Sequence, residues 1–258
     1  MRLFDTHCHF EKADVPVIAA ELSRARAAGV ERLMAVGGSA ALNESAVVAV
    51  ALAADSQLHP RVVCALGYDR DQVGRVTRDA GFVVPGEERP AAWGEVGLDY
   101  HYSPETRAAQ LELFGAQLEE ARRRDLPVVI HTREADDDTL ALLREIPSRG
   151  IIHCYTGTPE AARRFLDLGF YISISGIVTF RAADNVRESA LVVPDDRILI
   201  ETDSPFLAPV PLRGRPNEPA FIRHTCEFLA ALRKTDAEDF AELTFRNAEA
   251  VLGFQDGR

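Results

Sequence analysis

The stretch Leu126-Pro127-Val128-Val129-Ile130-His131 is a short apolar run that ends on an imidazole, and similar runs recur along the whole chain. Each run is bounded by glycine, proline or polar residues, which is typical of strands buried on both faces of a parallel sheet. Eight such runs predict strands at residues 2–6, 32–36, 62–66, 92–96, 128–130, 150–153, 171–175 and 197–201.

The segments between these runs carry apolar residues at intervals of three or four, the spacing of one face of a helix. Examples are Leu111, Phe114, Leu118 and Ala121 in one segment, and Ala161, Phe165 and Leu168 in another. Gly29 and Gly169 stand where a helix should end before the next strand. Eight alternations of strand and helix predict an α/β fold, a single (β/α)8 TIM barrel over residues 1–258, rather than an open sheet.

Residue types that bind metal ions stand at the ends of several of these runs. They are His7, His9, Glu95, His131, His153 and Asp203. All strand C-termini of such a barrel open on one face, so we expect these six side chains to converge there. Four imidazoles and two carboxylates are enough for one or two divalent cations, which predicts the site of a metal-dependent hydrolase.

The interpretation of His7, His9 and Glu95 as metal ligands depends on the other three residues. His7 and His9 would project to the same side of a strand, because strand side chains alternate with a period of two. Glu95 lies between glycines in an apolar segment, where an ionised carboxylate needs a paired charge or a cation. With histidines at neighbouring strand ends, a carboxylate that bridges two ions is the better interpretation of Glu95.

Two carboxylates with different expected roles lie at the end of the last predicted strand and just after it. Asp203 would either begin a turn before Pro205 or bind an ion and accept a proton from the attacking water. Glu201 points the same way but lies deeper. It would either orient a metal ligand or be a buried charge paired with an arginine.

Composition limits the classes of function. The formal charge of −11 argues against broad, non-specific affinity for nucleic acid, but not against a phosphate substrate held by cations. The four cysteines are scattered without a CxxC pair, so we expect them to be reduced. No apolar stretch approaches the ~20 residues that cross a bilayer, and no signal-peptide pattern is present, so a cytoplasmic protein is expected.

The chain resembles the TatD family of metal-dependent deoxyribonucleases, within the amidohydrolase superfamily. The matching stretches, in the family's order, are residues 5–9 (DTHCH), 94–100 (GEVGLDY), 127–135 (PVVIHTREA), 153–157 (HCYTG), 174–176 (ISG), 201–205 (ETDSP), 214–219 (GRPNEP) and 247–252. The resemblance implies that His7, His9, Glu95 and Asp203 hold one ion, and that Glu95, His131 and His153 hold another. It also implies that Mg²⁺ or Mn²⁺ supports activity, although imidazole ligands also suit Zn²⁺.

One segment departs from the family pattern. Where the family has Gly-x-His-Pro, with a histidine that engages substrate, this chain has Gly67-Tyr68-Asp69-Arg70. Asp69 cannot donate as a protonated imidazole does, and Tyr68 or Arg70 would have to replace it.

Further side chains are candidates for substrate contacts. Arg133, Arg215 and Arg181 carry guanidinium groups suited to phosphate. Tyr155 and Phe180 are aromatic residues that could stack an unpaired base. The segment 204–219 carries five prolines and is expected to form a rigid lip over the site.

We therefore expect an exodeoxyribonuclease that prefers single-stranded DNA, because a pocket at the barrel mouth reaches single strands and ends more easily than the middle of a duplex. The resemblance implies a 3′-to-5′ direction and a role in DNA repair or degradation. Asp203 and Glu95 would be its catalytic residues. The alternative is a metal-dependent hydrolase of a carboxylic ester or amide, such as a lactone, a cyclic amide or an aminoacyl-tRNA ester. A protein that binds metal or nucleic acid without turnover should have lost a ligand, and none is lost.

Overall fold

The computed structural model describes residues 1–54, 56–76, 81–85 and 90–254. Within these residues eight parallel strands form one sheet in chain order, which confirms the predicted (β/α)8 barrel. The strands are β1 (Leu3–Cys8), β2 (Val30–Gly38), β3 (Arg61–Tyr68), β4 (Ala92–Asp99), β5 (Val128–Arg133), β6 (Gly150–Ile152), β7 (Tyr171–Ile174) and β8 (Ile198–Ile200). The first five extend beyond the apolar runs at their C-terminal ends, because polar residues continue β1, β4 and β5 to the barrel mouth and glycines continue β2 and β3.

The helices of the described residues lie between the strands and after the last strand. They are α1 (Val15–Ala27), α2 (Ala40–Ala54), α3 (Arg107–Arg124), α4 (Asp136–Glu145), α5 (Pro159–Asp167), α6 (Asp184–Val192), α7 (Ile222–Arg233) and α8 (Ala237–Leu252). Gly29 and Gly169 follow α1 and α5 with φ of 96° and 86°, as the sequence predicts for the residues that end these helices.

The barrel closes between β8 and β1 through few backbone contacts. The amide of Asp203 donates to the carbonyl of His7 at 2.9 Å, and the amide of His9 donates to the carbonyl of Ser204 at 2.7 Å. Below these contacts, the buried carboxylate of Asp5 accepts from the Thr202 hydroxyl at 2.6 Å and from the Thr202 amide at 2.9 Å. Side chains thus connect β8 to β1 at the junction where few backbone hydrogen bonds do so.

Two apolar layers stabilise the barrel. The interior layer is filled by Phe4, Met34, Val36, Ala65, Ala92, Val129, Ile151 and Leu199 from the strands, and by Phe245, Ala248 and Val251 from α8. The larger outer layer lies between the sheet and the surrounding helices. The ring of Phe245 contacts that of Phe4 with centroids 5.6 Å apart, so α8 covers the end of the barrel that lies opposite the strand C-termini.

Two further expectations concerned reduced cysteines and the absence of a membrane-spanning segment. Cys8, Cys64, Cys154 and Cys226 are all free thiols. None of the helices within the described ranges is long and apolar enough to span a membrane.

Candidate metal centre

The fold brings the six predicted ligand residues together at the strand C-termini. His7 lies near the end of β1 and His9 follows that strand, Glu95 and His131 lie within β4 and β5, and His153 and Asp203 follow β6 and β8. His7, His9, Glu95 and His153 are at most 8% exposed. The metal-binding atoms of His7, His9 and Glu95 lie within 4.8 Å of one another, as do those of Glu95, His131 and His153, and those of His7, His153 and Asp203.

Glu95 lies at the centre and presents its two oxygens to different imidazoles. Its Oε2 lies 3.6 Å from His7 Nε2 and 3.4 Å from His9 Nε2. Its Oε1 lies 3.5 Å from His131 Nδ1 and 3.4 Å from His153 Nε2. One carboxylate between two pairs of imidazoles is the arrangement expected of a ligand shared by two cations.

Asp203 completes the first of these groups. Its Oδ1 lies 3.9 Å from His7 Nε2 and 3.8 Å from His9 Nε2. In addition, His7 Nδ1 is buried without a hydrogen-bond partner among the described residues. Imidazole nitrogens and carboxylate oxygens at these separations fit divalent cations such as Zn²⁺ or Mn²⁺.

Close backbone packing places Glu95 beside His131. Gly97 has a φ of 136°, and a Cβ atom added there would lie 2.0 Å from the carbonyl oxygen of His131. Gly97 pairs with His131 in the β4–β5 ladder, so a side chain at position 97 would force the strands apart. The glycine therefore brings the ligands of these two strands close together.

The remaining nitrogen of three of the imidazoles is held by the surrounding protein. His9 Nδ1 lies 2.9 Å from the Val36 carbonyl, and His131 Nε2 lies 2.9 Å from Asp99 Oδ2. His153 Nδ1 lies 3.3 Å from Glu201 Oε1. Such contacts fix the orientation and the tautomer of a metal-binding imidazole.

Glu201 lies behind His153, and no arginine of the described residues pairs with it. Its Oε1 also accepts from the Cys154 amide at 2.7 Å, and the residue is fully buried. Of the two roles left open by the sequence, this geometry favours orientation of His153.

Two functional residues were missed by sequence reasoning. Asp99 and Asp5 both lie within motif stretches, but neither was singled out. Asp99 lies four residues beyond Glu95 in the same strand and therefore on the same side, which is a signal that could have found it. The contact of Asp5 with Thr202 depends on closure of the barrel and has no signal in either segment alone.

Burial controls the protonation of two imidazoles. It lowers the pKa of His7 to about 3, with His153 adding to the effect, and it also lowers the pKa of His131. Both rings are therefore neutral at pH 7, the form that binds metal ions.

Glu95 and His153 shift each other's pKa towards the charged forms. Burial opposes ionisation of Glu95, but His153, His7 and His9 outweigh it and hold the pKa well below its usual range. Burial likewise favours neutral His153, but Glu95 and Glu201 outweigh it and hold its pKa well above the usual range. Burial raises the pKa of Asp203 to about 6. A cation at this site would displace the proton from His153.

Comparison with known proteins identifies the family. The family model described as TatD related DNase matches residues 4–253. The chain belongs to the TatD family. It is 39% identical to the uncharacterized metal-dependent hydrolase YcfH of Escherichia coli, over 96% of this chain and 94% of that protein. It is 34% identical to the uncharacterized metal-dependent hydrolase YabD of Bacillus subtilis, over 97% of this chain and 98% of that protein.

A solved structure agrees with this assignment. The crystal structure of YjjV, a TatD homologue from Escherichia coli, matches with a TM-score of 0.83 and 28% identity, over 98% of this chain and 99% of that one. This TatD-family chain is therefore a metal-dependent hydrolase of the amidohydrolase type, in agreement with the ligand pattern of its sequence.

The segment that departs from the TatD pattern places an arginine in the site. Asp69 accepts from the Asp71 amide at 2.8 Å and begins a 3₁₀ turn over Arg70–Gln72. Tyr68 is buried, and its hydroxyl donates to the carbonyl of Val83. Arg70 Nη1 instead donates to Glu95 Oε1 at 3.1 Å. Of the two candidates named to replace the family's histidine, Arg70 is the one that reaches the site.

The predicted substrate contacts occupy different environments. Arg133 is half-buried, with its guanidinium 4.8 Å from the ring of the exposed Tyr102, while Arg181 and Arg215 are exposed. Phe180 is half-buried and lies under the guanidinium of Arg213 at 3.6 Å.

The prediction that Tyr155 stacks a base is contradicted by the structure. Its side chain is 1% exposed in the outer core, where its ring packs against Phe165 with centroids 6.2 Å apart. Its hydroxyl donates to the Thr158 carbonyl at 2.8 Å. The chain turns directly after His153, with Cys154 at a φ of 44°, and this turn directs Tyr155 away from the mouth.

The proline-rich segment borders the site, as predicted. Asn217 is buried and donates to the carbonyls of Thr202 at 2.8 Å and Phe206 at 2.6 Å, which ties the segment to the end of β8. Phe206 is 52% exposed, and its ring centroid lies 6.5 Å from that of His9. An exposed aromatic ring thus stands next to the candidate metal ligands.

Proposed function

We propose that this TatD-family hydrolase is a phosphodiesterase that uses two divalent cations to remove nucleotides from the 3′ ends of single-stranded DNA. The observation that carries the proposal is Glu95, whose two oxygens face separate pairs of imidazoles. Two cations held in this way suit the in-line displacement of a phosphate ester, because the attacking and the leaving oxygen both need stabilisation.

The position of each residue in the cluster suggests its role. His7, His9, Glu95 and Asp203 would hold one cation, and Glu95, His131 and His153 the other. Bound Mg²⁺, Mn²⁺ or Zn²⁺ would supply Lewis-acid catalysis and lower the pKa of water. Asp203 would accept the proton of the attacking water, because its carboxylate borders the cluster and remains 13% exposed.

The surroundings of the site favour a nucleic-acid end over a compact carbonyl substrate. Tyr102 and Phe206 are 66% and 52% exposed and offer flat apolar surfaces on which unpaired bases could stack. Arg133, in contact with Tyr102, and the exposed Arg215 would bind backbone phosphates. The mouth of a barrel accepts a flexible single strand more easily than the middle of a duplex.

A metal-reconstituted nuclease assay tests the proposal. Metal-free protein is loaded with Mg²⁺, Mn²⁺ or Zn²⁺ and given single-stranded DNA labelled at its 5′ end. We expect a ladder that shortens from the 3′ end, and no measurable cleavage by the isosteric Glu95→Gln variant. Glu134→Gln is the matched control, because Glu134 is an exposed carboxylate that contacts His101 outside the cluster.

The same preparations are also tested on p-nitrophenyl acetate and on a lactone. If metal binds while DNA remains intact with all three ions, the phosphodiesterase proposal is wrong. Metal-dependent cleavage of either carbonyl substrate would then establish the ester or amide hydrolase.

A further inference from the structure

Arg70 is an unusual arginine because of where it lies. It is the first residue of the 3₁₀ turn that follows β3, and its side chain is 19% exposed. Its Nη1 donates at 3.1 Å to Glu95 Oε1, the oxygen that also faces His131 and His153. A permanent positive charge therefore stands beside the central carboxylate of the site.

Arg70 contacts Glu95 through one nitrogen, unlike the arginines of this chain that bind a carboxylate along a whole edge of the guanidinium. Arg107 binds Asp138 through Nε and Nη2 together, and Arg123 binds Glu120 through the same edge. Arg70 uses only Nη1 on Glu95. Among the described residues, this leaves the Nε–Nη2 edge, with which arginine binds oxyanions in a bidentate manner, without a hydrogen bond to a carboxylate.

The Nε atom of Arg70 has no hydrogen-bond partner among the described residues. It is buried, and the nearby Asp71 Oδ1 lies 3.8 Å away, beyond hydrogen-bond distance. A buried guanidinium donor without an acceptor is unfavourable, so a ligand that supplies an acceptor regains that free energy. This Nε belongs to the side chain that contacts Glu95, so it lies next to the cluster in which the substrate would react.

Charge adds a second reason for a ligand at this edge. A cation held by Glu95, His131 and His153 would compete with the guanidinium for Glu95 Oε1 and would repel it. An anion placed between the guanidinium and the cation would attract both and offset their mutual repulsion. An oxyanion with several acceptor oxygens would suit this position.

We propose that Arg70 binds the phosphate of the substrate through its Nε–Nη2 edge and thereby helps to select phosphate esters. This inference rests on the proposed function, because it assigns the phosphate of that substrate to a residue. Unlike a histidine, which loses its charge near neutral pH, an arginine keeps its charge at every pH at which the protein is folded. Phosphate binding at this site therefore does not require acidic conditions.

The test is binding of inorganic phosphate to the Mn²⁺-loaded protein, measured by calorimetry, for wild type, Arg70→Met, Arg70→Lys and Arg149→Met. We expect Arg70→Met to weaken phosphate binding about 10-fold to 100-fold, the loss expected for a charge-assisted hydrogen bond. Arg70→Lys should recover part of the affinity, because it retains the charge but not the planar edge. Arg149→Met should bind as wild type does, because Arg149 is an exposed arginine that contacts Asp125.

A Mn²⁺ titration of each variant accompanies the phosphate measurement. Arg70→Met should bind Mn²⁺ as tightly as wild type or more tightly, because a cation beside Glu95 is removed. Unchanged phosphate affinity in Arg70→Met would overturn the proposal. Loss of Mn²⁺ binding in that variant would also overturn it, since Arg70 would then be a support for Glu95. Arg70-dependent phosphate binding by a wild type that leaves DNA intact would support the inference while refuting the nuclease.

Discussion

At the scale of single residues, the second nitrogen of an imidazole decides whether the first is available to a cation. His131 faces Glu95 through Nδ1, and its Nε2 lies 2.9 Å from Asp99 Oδ2. Asp99 is itself held, because its Oδ1 accepts from the amides of His101 and Tyr102 at 3.0 Å each. These contacts hold the pKa of Asp99 near 2 in spite of burial, so it is ionised at neutral pH and keeps a proton on His131 Nε2.

Asp99→Asn tests this orientation. Asparagine has the same shape, but it either presents an amide donor to His131 Nε2–H or loses the backbone contacts of Oδ1. We expect the weaker of the two cation affinities to fall about 10-fold to 100-fold, measured by calorimetric titration with Mn²⁺. Asp138→Asn is the control, because Asp138 accepts from Tyr100 and Arg107 and contacts no imidazole among the described residues. Equal affinities in the two variants would show that Asp99 does not orient His131.

At the scale of elements, the weakest junction of the barrel carries part of the site. β8 spans three residues, and its continuation meets β1 through an isolated bridge between Cys8 and Ser204. Asp5 crosses this junction to Thr202, and Thr6 Oγ1 donates to the Ile200 carbonyl at 3.0 Å. Because His7 and His9 lie on one side of the junction and Asp203 on the other, these contacts set the distance between ligands of the same proposed cation.

Thr202→Val tests the junction. Valine fills the same space but leaves a buried oxygen of Asp5 without its 2.6 Å donor, so we expect a loss of about 1–3 kcal/mol in the free energy of unfolding. Urea denaturation in the presence of EDTA measures it. Thr225→Val is a matched control, because Thr225 is fully buried and its hydroxyl has no partner among the described residues. A loss as large in the control would show that the Asp5 contact contributes nothing.

At the scale of the whole molecule, stability and chemistry occupy opposite ends of the barrel. The metal ligands lie at the strand C-termini, while α8 places Phe245 against Phe4 in the interior layer at the other end. Phe245 is 1% exposed, and the guanidinium of Arg2 lies 4.1 Å from its ring. Packing at the end of the barrel that contains Phe4 and Phe245 can therefore be disrupted without removing any group of the metal centre.

Phe245→Ala should separate the two ends. We expect the free energy of unfolding to fall by about 3–5 kcal/mol, because the substitution leaves a cavity in the barrel interior. Mn²⁺ affinity, measured on the folded variant, should stay within about threefold of wild type. Leu191→Ala, at a side chain that is 53% exposed, should change stability by no more than about 0.5 kcal/mol. A large loss of Mn²⁺ affinity in Phe245→Ala would contradict the independence of the two ends.

Much of the architecture was predictable because it depends on local pattern. Each of the eight predicted strands is present, since short apolar runs need two covered faces and therefore a parallel sheet. The C-terminal ends of the first five strands were predicted too early, because polar residues in β1, β4 and β5, and glycines in β2 and β3, interrupt the apolar pattern where the strands reach the mouth. Asp99 and Arg133 are strand residues of this kind.

The surroundings of the site were less predictable because they depend on distances across the fold. Tyr155 follows a predicted ligand directly in sequence, yet a positive φ at Cys154 sends it into the outer core. Arg70 was one of two candidates to replace a histidine, and burial of Tyr68 decided between them. Neither outcome can be read from a neighbouring residue.

The sequence by itself determined the barrel and the identity of the residues that converge at its mouth. Both follow from local rules, namely the burial of short apolar strands and the alternation of side chains along them. The tertiary structure alone decided which Glu95 oxygen faces which imidazole, that Arg70 reaches the same carboxylate, and that Asp5 bridges the last strand to the first. These relations join residues far apart in the chain, and contacts of 3–4 Å are set by the register and closure of the whole sheet rather than by any segment of it.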